Sequence, residues 1–95
     1  MDHFLYRDGV LHAEDVPVAD IAAAVGTPFY VYSTATLLRH FTLFDEALDG
    51  LDHLVCYAMK AASNQAILKT LAKAGAGMDV VAGGEYARAK AAGVP

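Results

Sequence analysis

The chain has 95 residues, 56% of them hydrophobic, and a formal net charge of -4 with acidic and basic side chains interspersed. This length allows at most one small domain, and the apolar content is rich for a domain of this size that has to fold alone. Because the sequence has no basic patch with interleaved aromatics and no apolar run of membrane-spanning length, we expect neither a nucleic-acid partner nor a membrane span.

The first predicted elements are a β-hairpin and a short helix. Asp8-Gly9 separates residues 4–7 from residues 10–12, and Asp-Gly between short apolar runs is a strong hairpin signal. A helix is expected between Pro17 and Gly26, because proline favours the start of a helix and glycine favours the position just after its end.

A strand and a longer helix are predicted next. Residues 29–32 are rich in strand-forming side chains and predict a strand. Ser33 is a natural N-cap for the following helix, and Asp49-Gly50 predicts the end of that helix. The apolar stripe of the helix recurs at spacings of three and four and consists of Leu37, Leu38, Phe41, Phe44, Ala47 and Leu48.

Residues 53–59 predict a buried strand, and Lys60 follows directly. In α/β proteins the carboxyl end of a strand is where catalytic groups meet a ligand. A desolvated lysine there is a nucleophile toward carbonyl compounds, whereas the alternative is a lysine that merely extends into water. Cys56 is the only cysteine and is expected to be a buried structural thiol. Without a disulfide partner or an export signal, the chain is expected to be cytoplasmic.

The alternation of helix and strand continues to the end of the sequence. Ser63 or Asn64 is expected to cap a helix, and residues 78–82 predict a strand that carries Asp79. The inward residues of that helix are expected to be Ile67, Leu68, Leu71 and Ala72, with Lys69 and Lys73 outward.

The last predicted helix follows a turn at Gly83-Gly84 and carries Glu85 in its first turn, where a carboxylate suits the helix dipole. Strands that alternate with helices indicate an α/β fold with parallel strands. The pattern fits a closed barrel and an open doubly wound sheet equally well. The four histidines are scattered without the spacing of metal ligands, so no metal site is expected.

Blocks of this sequence match a known family in order and approximate spacing. The most specific is Tyr57-Ala58-Met59-Lys60-Ala61, followed by Ser63-Asn64 and a helix. The others are residues 75–85, continued by 91–95, and the weaker block 26–32. Together they resemble the diaminopimelate decarboxylases, which belong to a group of pyridoxal-phosphate enzymes that includes ornithine and arginine decarboxylases and alanine racemase. The family usually has asparagine directly after Lys-Ala, where this chain has Ala62.

The resemblance implies both a fold and a chemistry. Residues 27–95 would form the first strand–helix units of a (β/α)₈ TIM barrel that binds pyridoxal 5'-phosphate, and residues 1–26 would belong with a separate β-domain. Lys60 would be the catalytic lysine that binds the cofactor aldehyde. Asp79 is the second cofactor-binding candidate, and its alternative role is to fix the following loop. The implied enzyme is a homodimer that converts meso-diaminopimelate to L-lysine and carbon dioxide in lysine biosynthesis.

The family's enzymes are several times longer than this chain. We therefore expect an N-terminal fragment that is inactive by itself and self-associates through apolar strand edges, with the other cofactor and substrate ligands past residue 95. An ornithine or arginine decarboxylase or a racemase of the same fold is an alternative. Ala62 favours a further alternative, a non-catalytic relative that binds the cofactor.

Overall fold

The computed structural model describes residues 3–95. The chain divides into two compact units with the boundary between Thr36 and Leu37, here called the first unit and the second unit. The first unit contains strands β1 (Phe4–Arg7), β2 (Val10–Ala13) and β3 (Val16–Pro17), followed by helix α1 (Val18–Val25). The strands form an antiparallel sheet in the order β1-β2-β3.

The predicted hairpin is confirmed by this sheet. Arg7 pairs with Val10 across the two-residue turn, in which Asp8 has a φ of 50° and Gly9 a φ of 79°. Positive φ at both central residues is the turn geometry that matches the twist of paired strands. Strand β3 was not predicted, because it has only two residues and one of them, Pro17, has no N–H to donate.

Helix α1 has the predicted ends. It starts directly after Pro17, and Gly26 follows it with a φ of 81°. The N–H of Gly26 donates to the carbonyl of Ala22 at 2.8 Å, which satisfies one of the last helical carbonyls.

The strand predicted over residues 29–32 is wrong: this segment is extended but belongs to neither described sheet. Its side chains still alternate as a strand's do, since Phe29 and Val31 are half-buried while Tyr30 and Tyr32 are exposed and stack with ring centroids 6.5 Å apart. The alternation of side chains with a period of two, which is typical of a strand, is therefore present. A strand also needs a neighbour to bond with, and within residues 3–95 no strand pairs with this one.

The second unit has the predicted parallel α/β order. Helix α2 (Thr34–Ala47) spans the unit boundary and is followed by β4 (Cys56–Ala58), α3 (Gln65–Lys73), β5 (Gly77–Asp79) and α4 (Gly83–Ala91). Strands β4 and β5 pair in parallel, with Ala58 opposite Asp79. Both strands are shorter than predicted. Gly83 and Gly84 were also misread, since they are the first residues of α4 and not a turn before it.

The core of the second unit consists of two apolar clusters between the strands and the helices. One, the α4 cluster, contains Met59, Leu68, Ala89 and Ala92, and the other, the α3 cluster, contains Ile67, Leu71 and Ala76. Tyr57 and Met78 pack against both clusters, so these paired strand residues face the helices. The predicted inward residues Ile67, Leu68 and Leu71 are confirmed. Of the α2 stripe, Leu37 and Phe41 pack against the α3 cluster, whereas Phe44 is 59% exposed.

The opposite face of the β4–β5 pair, here called the open face, carries Cys56, Ala58, Gly77 and Asp79. The prediction that Cys56 is buried is wrong, because alternation along β4 places Tyr57 against the helices and Cys56 on this face, where it is exposed. Exposed Leu54 and Val81 flank the same strands. Within residues 3–95 no helix is both long and apolar enough to cross a bilayer.

Candidate functional site

The two predicted site residues follow adjacent strands at the same edge of the sheet. Asp79 is the last residue of β5, and Lys60 comes two residues after the end of β4. Because β4 and β5 are parallel and in register, their carboxyl ends coincide. The side chains of Lys60 and Asp79 are both exposed, and within residues 3–95 neither takes part in an ion pair. The edge therefore presents an amine and a carboxylate that the fold does not use to hold itself together.

The backbone turns sharply where β4 ends. The N–H of Met59 donates to the carbonyl of Asp79 at 3.4 Å, and the N–H of Ala61 donates to the carbonyl of Ala58 at 3.2 Å. The Met59 side chain is fully buried in the α4 cluster. Lys60 thus directly follows a residue anchored in the core and is the first residue of a loop.

That loop, residues 60–64 and here called the lysine loop, is also held by hydrogen bonds from side chains of β4 and α4. The hydroxyl of Tyr57 donates to the carbonyl of Ala62 at 2.8 Å. A guanidinium nitrogen of Arg88 on α4 donates to the carbonyl of Ser63 at 3.4 Å, and the side-chain amide of Gln65 donates to the carbonyl of Arg88 at 3.1 Å. Sequence analysis assigned neither Tyr57 nor Arg88 a role in holding this loop, because no local pattern signals these hydrogen bonds.

Ala62, where the family usually has asparagine, packs against the α3 cluster. Its carbonyl still accepts the Tyr57 hydrogen bond, so the backbone of the loop is held without an asparagine side chain. Asn64 occupies the predicted cap position of α3, but its side chain makes no capping hydrogen bond.

Glu85 has the structural role that was expected from its position at a helix start. Its carboxylate accepts the N–H of Val81 at 2.7 Å, which satisfies a backbone donor just before α4. Gly83 and Gly84, at the start of α4, have open space where a side chain would be.

Glu14 is a second carboxylate with a defined task, and it lies in the first unit. One of its oxygens accepts the hydroxyl of Ser33 at 2.6 Å and the N–H of Ala35 at 3.1 Å, while the Ser33 hydroxyl oxygen accepts the N–H of Thr36 at 3.1 Å. Ser33 is therefore the predicted N-cap, and Glu14 extends the cap from outside the helix. The hydrogen bond from Ser33, followed by that from Ala35, lowers the pKa of Glu14. Sequence reasoning missed Glu14.

His53 makes two hydrogen bonds just before β4. Its Nδ1 lies 2.8 Å from the carbonyl oxygen of Leu51 and its Nε2 lies 2.8 Å from a carboxylate oxygen of Asp45. Both partners are acceptors, so the ring satisfies both when each nitrogen carries a hydrogen. The Leu51 carbonyl first, and then Asp45, raise the pKa of His53.

The chain is similar in sequence to known proteins. The family described as pyridoxal-dependent decarboxylase, pyridoxal binding domain, matches residues 34–95. The chain belongs to this family. It is 54% identical over 94 residues to the diaminopimelate decarboxylase of Vibrio cholerae, covering 98% of this chain and 22% of that protein. It is 48% identical over 93 residues to the corresponding protein of Haemophilus influenzae, again covering 98% of this chain and 22% of the relative.

Solved structures agree with the sequence relatives. A structure from Aquifex aeolicus has a TM-score of 0.92 at 43% identity, covering 98% of this chain and 23% of that one. The diaminopimelate decarboxylase of M. jannaschii in co-complex with L-lysine has a TM-score of 0.93 at 36% identity, covering 99% and 23%. The α/β fold, the family and its cofactor class are thereby confirmed. The chain spans about a quarter of the length of these relatives, at 22% and 23%. The roles of Lys60 and Asp79 stay predictions.

Proposed function

We propose that this chain is part of a pyridoxal-phosphate-dependent decarboxylase that converts meso-diaminopimelate to L-lysine and carbon dioxide. The observation that carries the proposal is the placement of Lys60 and Asp79 at the coincident carboxyl ends of two parallel strands. The names of the relatives from Vibrio cholerae and Haemophilus influenzae support the substrate. The L-lysine bound by the M. jannaschii protein is the product of the proposed reaction.

The groups at this edge fit the cofactor. When bound, pyridoxal phosphate supplies an aldehyde for an amine and an electron sink for the bond to the departing carboxylate. The Lys60 amine is exposed and free of ion pairs within residues 3–95, so it is available to that aldehyde. Asp79 ends the neighbouring strand at the same edge, and we propose it as the second residue that would contact the bound cofactor.

The open face supports the proposed barrel. Leu54 is 68% exposed and Val81 79% exposed beside a sheet whose other face is covered by helices. Parallel strands occur almost only with both faces covered, so this face calls for a partner layer. In a (β/α)₈ barrel the layer is the side chains of the other strands. We propose residues 27–95 as the beginning of that barrel and residues 1–26, with their antiparallel sheet, as part of a separate β-domain. A cytoplasmic homodimer completes the proposal for the whole protein.

The test uses the protein that carries this chain, at its full natural length. Lys60→Ala should lower decarboxylation of meso-diaminopimelate by about 10³-fold or more, the scale on which loss of a reacting side chain acts. It should also abolish the borohydride-stable attachment of pyridoxal phosphate, located by peptide mass spectrometry. Lys69→Ala, which removes an exposed lysine of α3, is the matched control and should keep both.

Turnover and labelling that persist in Lys60→Ala would refute the assignment of this residue. Assays with ornithine, arginine and single-enantiomer amino acids test the alternatives of an ornithine or arginine decarboxylase and a racemase. The proposed enzyme should release carbon dioxide only from diaminopimelate. A full-length protein that binds pyridoxal phosphate but forms no product from any of these compounds would be the non-catalytic relative.

A further inference from the structure

The lysine loop directly follows a residue buried in the core, and its far end is held by side chains of β4 and α4. Met59, directly before Lys60, is fully buried. The carbonyls of Ala62 and Ser63, two and three residues after Lys60, accept hydrogen bonds from Tyr57 and Arg88. Lys60 and Ala61 are the exposed residues between these fixed points. The path of the backbone at Lys60 is thus defined from both sides, while its side chain remains accessible.

Tyr57 is placed to couple the core to this loop. Its ring packs against both the α4 cluster and the α3 cluster, which leaves little freedom for the hydroxyl at its tip. The hydroxyl spans from strand β4 to the loop that follows the same strand, with a donor–acceptor distance of 2.8 Å. A shift of the loop would break this bond and leave a half-buried hydroxyl without that acceptor, which opposes the shift.

Arg88 supplies a second, weaker tether. Its bond to the Ser63 carbonyl is 3.4 Å long and exposed to solvent, near the limit of a useful hydrogen bond. Gln65 at the start of α3 donates to the Arg88 carbonyl at 3.1 Å, so contacts run in both directions between α4 and the region around the end of the loop. The lengths of the two tethers predict that Tyr57 has the larger effect.

We propose that Tyr57 and Arg88 are positioning residues for the Lys60 amine, acting through the Ala62 and Ser63 carbonyls. This inference rests on the proposed function, in which Lys60 reacts with a bound aldehyde. Reaction rates are sensitive to displacements of the reacting group of about 1 Å, which can cost a factor of about 10². A loop freed at one end allows Lys60 to move by such distances without unfolding the sheet beneath it.

The first test is Tyr57→Phe in the full-length protein, which removes one hydroxyl and keeps the ring. We expect kcat to fall about tenfold, a loss well within the cost of a small misplacement, with KM and the thermal midpoint unchanged. In the cofactor-free protein, borohydride trapping of pyridoxal phosphate on Lys60 should slow by a similar factor. The matched control is Tyr86→Phe on α4, where the side chain is 57% exposed and its ring lies 5.8 Å from the Lys90 ammonium.

The second test compares Arg88→Met with Arg88→Lys. Arg88→Met should lower kcat and the trapping rate about threefold, and Arg88→Lys should restore part of both because an ammonium can still donate to the Ser63 carbonyl. Arg88 is exposed, so both of its variants are expected to fold. They therefore test the proposal even if Tyr57→Phe does not fold.

Rates that are unchanged in Tyr57→Phe and Arg88→Met overturn the inference. It is also overturned if the rates fall only in proportion to a lower thermal midpoint, since the two residues would then act on folding alone. Either outcome leaves the proposed function intact provided that Lys60→Ala is inactive. If Lys60→Ala retains activity and labelling, the proposed function itself has failed.

Discussion

Each of the two units of the chain is stabilised internally by a different kind of interaction. In the first unit the described connections are short hydrogen bonds at turns and at a helix start, such as those of Glu14 with Ser33 and Ala35. Arg7 adds an ion pair with Asp15 at 3.0 Å. The second unit rests on side chains buried between a parallel strand pair and two helices. Its exposed charges at the strand ends, Lys60 and Asp79, take no part in the ion pairs found within residues 3–95.

The largest expected effect comes from the core of the second unit. Leu68 is fully buried, so Leu68→Ala should lower the free energy of unfolding by about 2–5 kcal/mol through lost burial and the cavity left behind. Leu51→Ala is the matched control, since Leu51 is 66% exposed and its truncation should change stability by less than about 0.5 kcal/mol. Urea unfolding measures both. Equal losses in the two variants would break the view that burial holds this unit.

A smaller loss of stability is expected from a substitution where β4 and β5 approach each other on the open face. A Cβ at Gly77 would lie 2.9 Å from the Cys56 sulfur and 3.2 Å from Leu54, so Gly77→Ala should cost about 1–3 kcal/mol. Gly84→Ala, which meets open space at the start of α4, should be neutral or stabilise by up to about 1 kcal/mol. Adding Cys56→Ala to Gly77→Ala should recover part of the loss, because it removes the nearest atom. No recovery in the double variant would contradict the steric explanation.

In the first unit the expected effect is a stability contribution of Glu14 that depends on pH. The pKa of Glu14 is lowered in the folded chain, chiefly by the Ser33 hydroxyl. Its contribution to stability is therefore complete above the ordinary carboxyl pKa and is lost as the pH falls through the lowered value. The amide signal of Ala35 in NMR spectra should titrate in that range, and Glu14→Gln should abolish the titration. Glu46→Gln, at an exposed position of α2, should leave it unchanged. An unaltered Ala35 titration in Glu14→Gln would exclude this carboxylate as the cause.

The smallest effect has the opposite sign and lies in the second unit. The pKa of His53 is raised, first by the Leu51 carbonyl and then by Asp45. Its contribution is complete below the ordinary imidazole pKa and is lost as the pH rises through the raised value. The difference in thermal midpoint between the protein and His53→Gln should shrink as the pH rises across that range. A difference in thermal midpoint that grows with pH would contradict the conclusion that the folded chain favours the protonated His53 ring.

The sequence predicted what depends on neighbours along the chain. Asp8-Gly9, the Ser33 cap, the Gly26 stop and the inward face of α3 follow from local geometry and periodicity, and all are confirmed. The family resemblance is likewise confirmed. Two of the failures need partners far along the chain: a strand at residues 29–32 requires a neighbour to pair with, and the burial of Cys56 requires a cover on the open face. The tethers from Tyr57 and Arg88 leave no trace in any local pattern.

The exposure of Cys56 also gives the open face a chemical reporter. The chain has a single cysteine, so an alkylating reagent that modifies it reads one position only. A slower alkylation rate in a longer protein or an assembly than in this chain would measure how well that face is shielded there. The thiol thereby makes the covering of the open face a quantity that can be followed in time, without introducing a foreign label site.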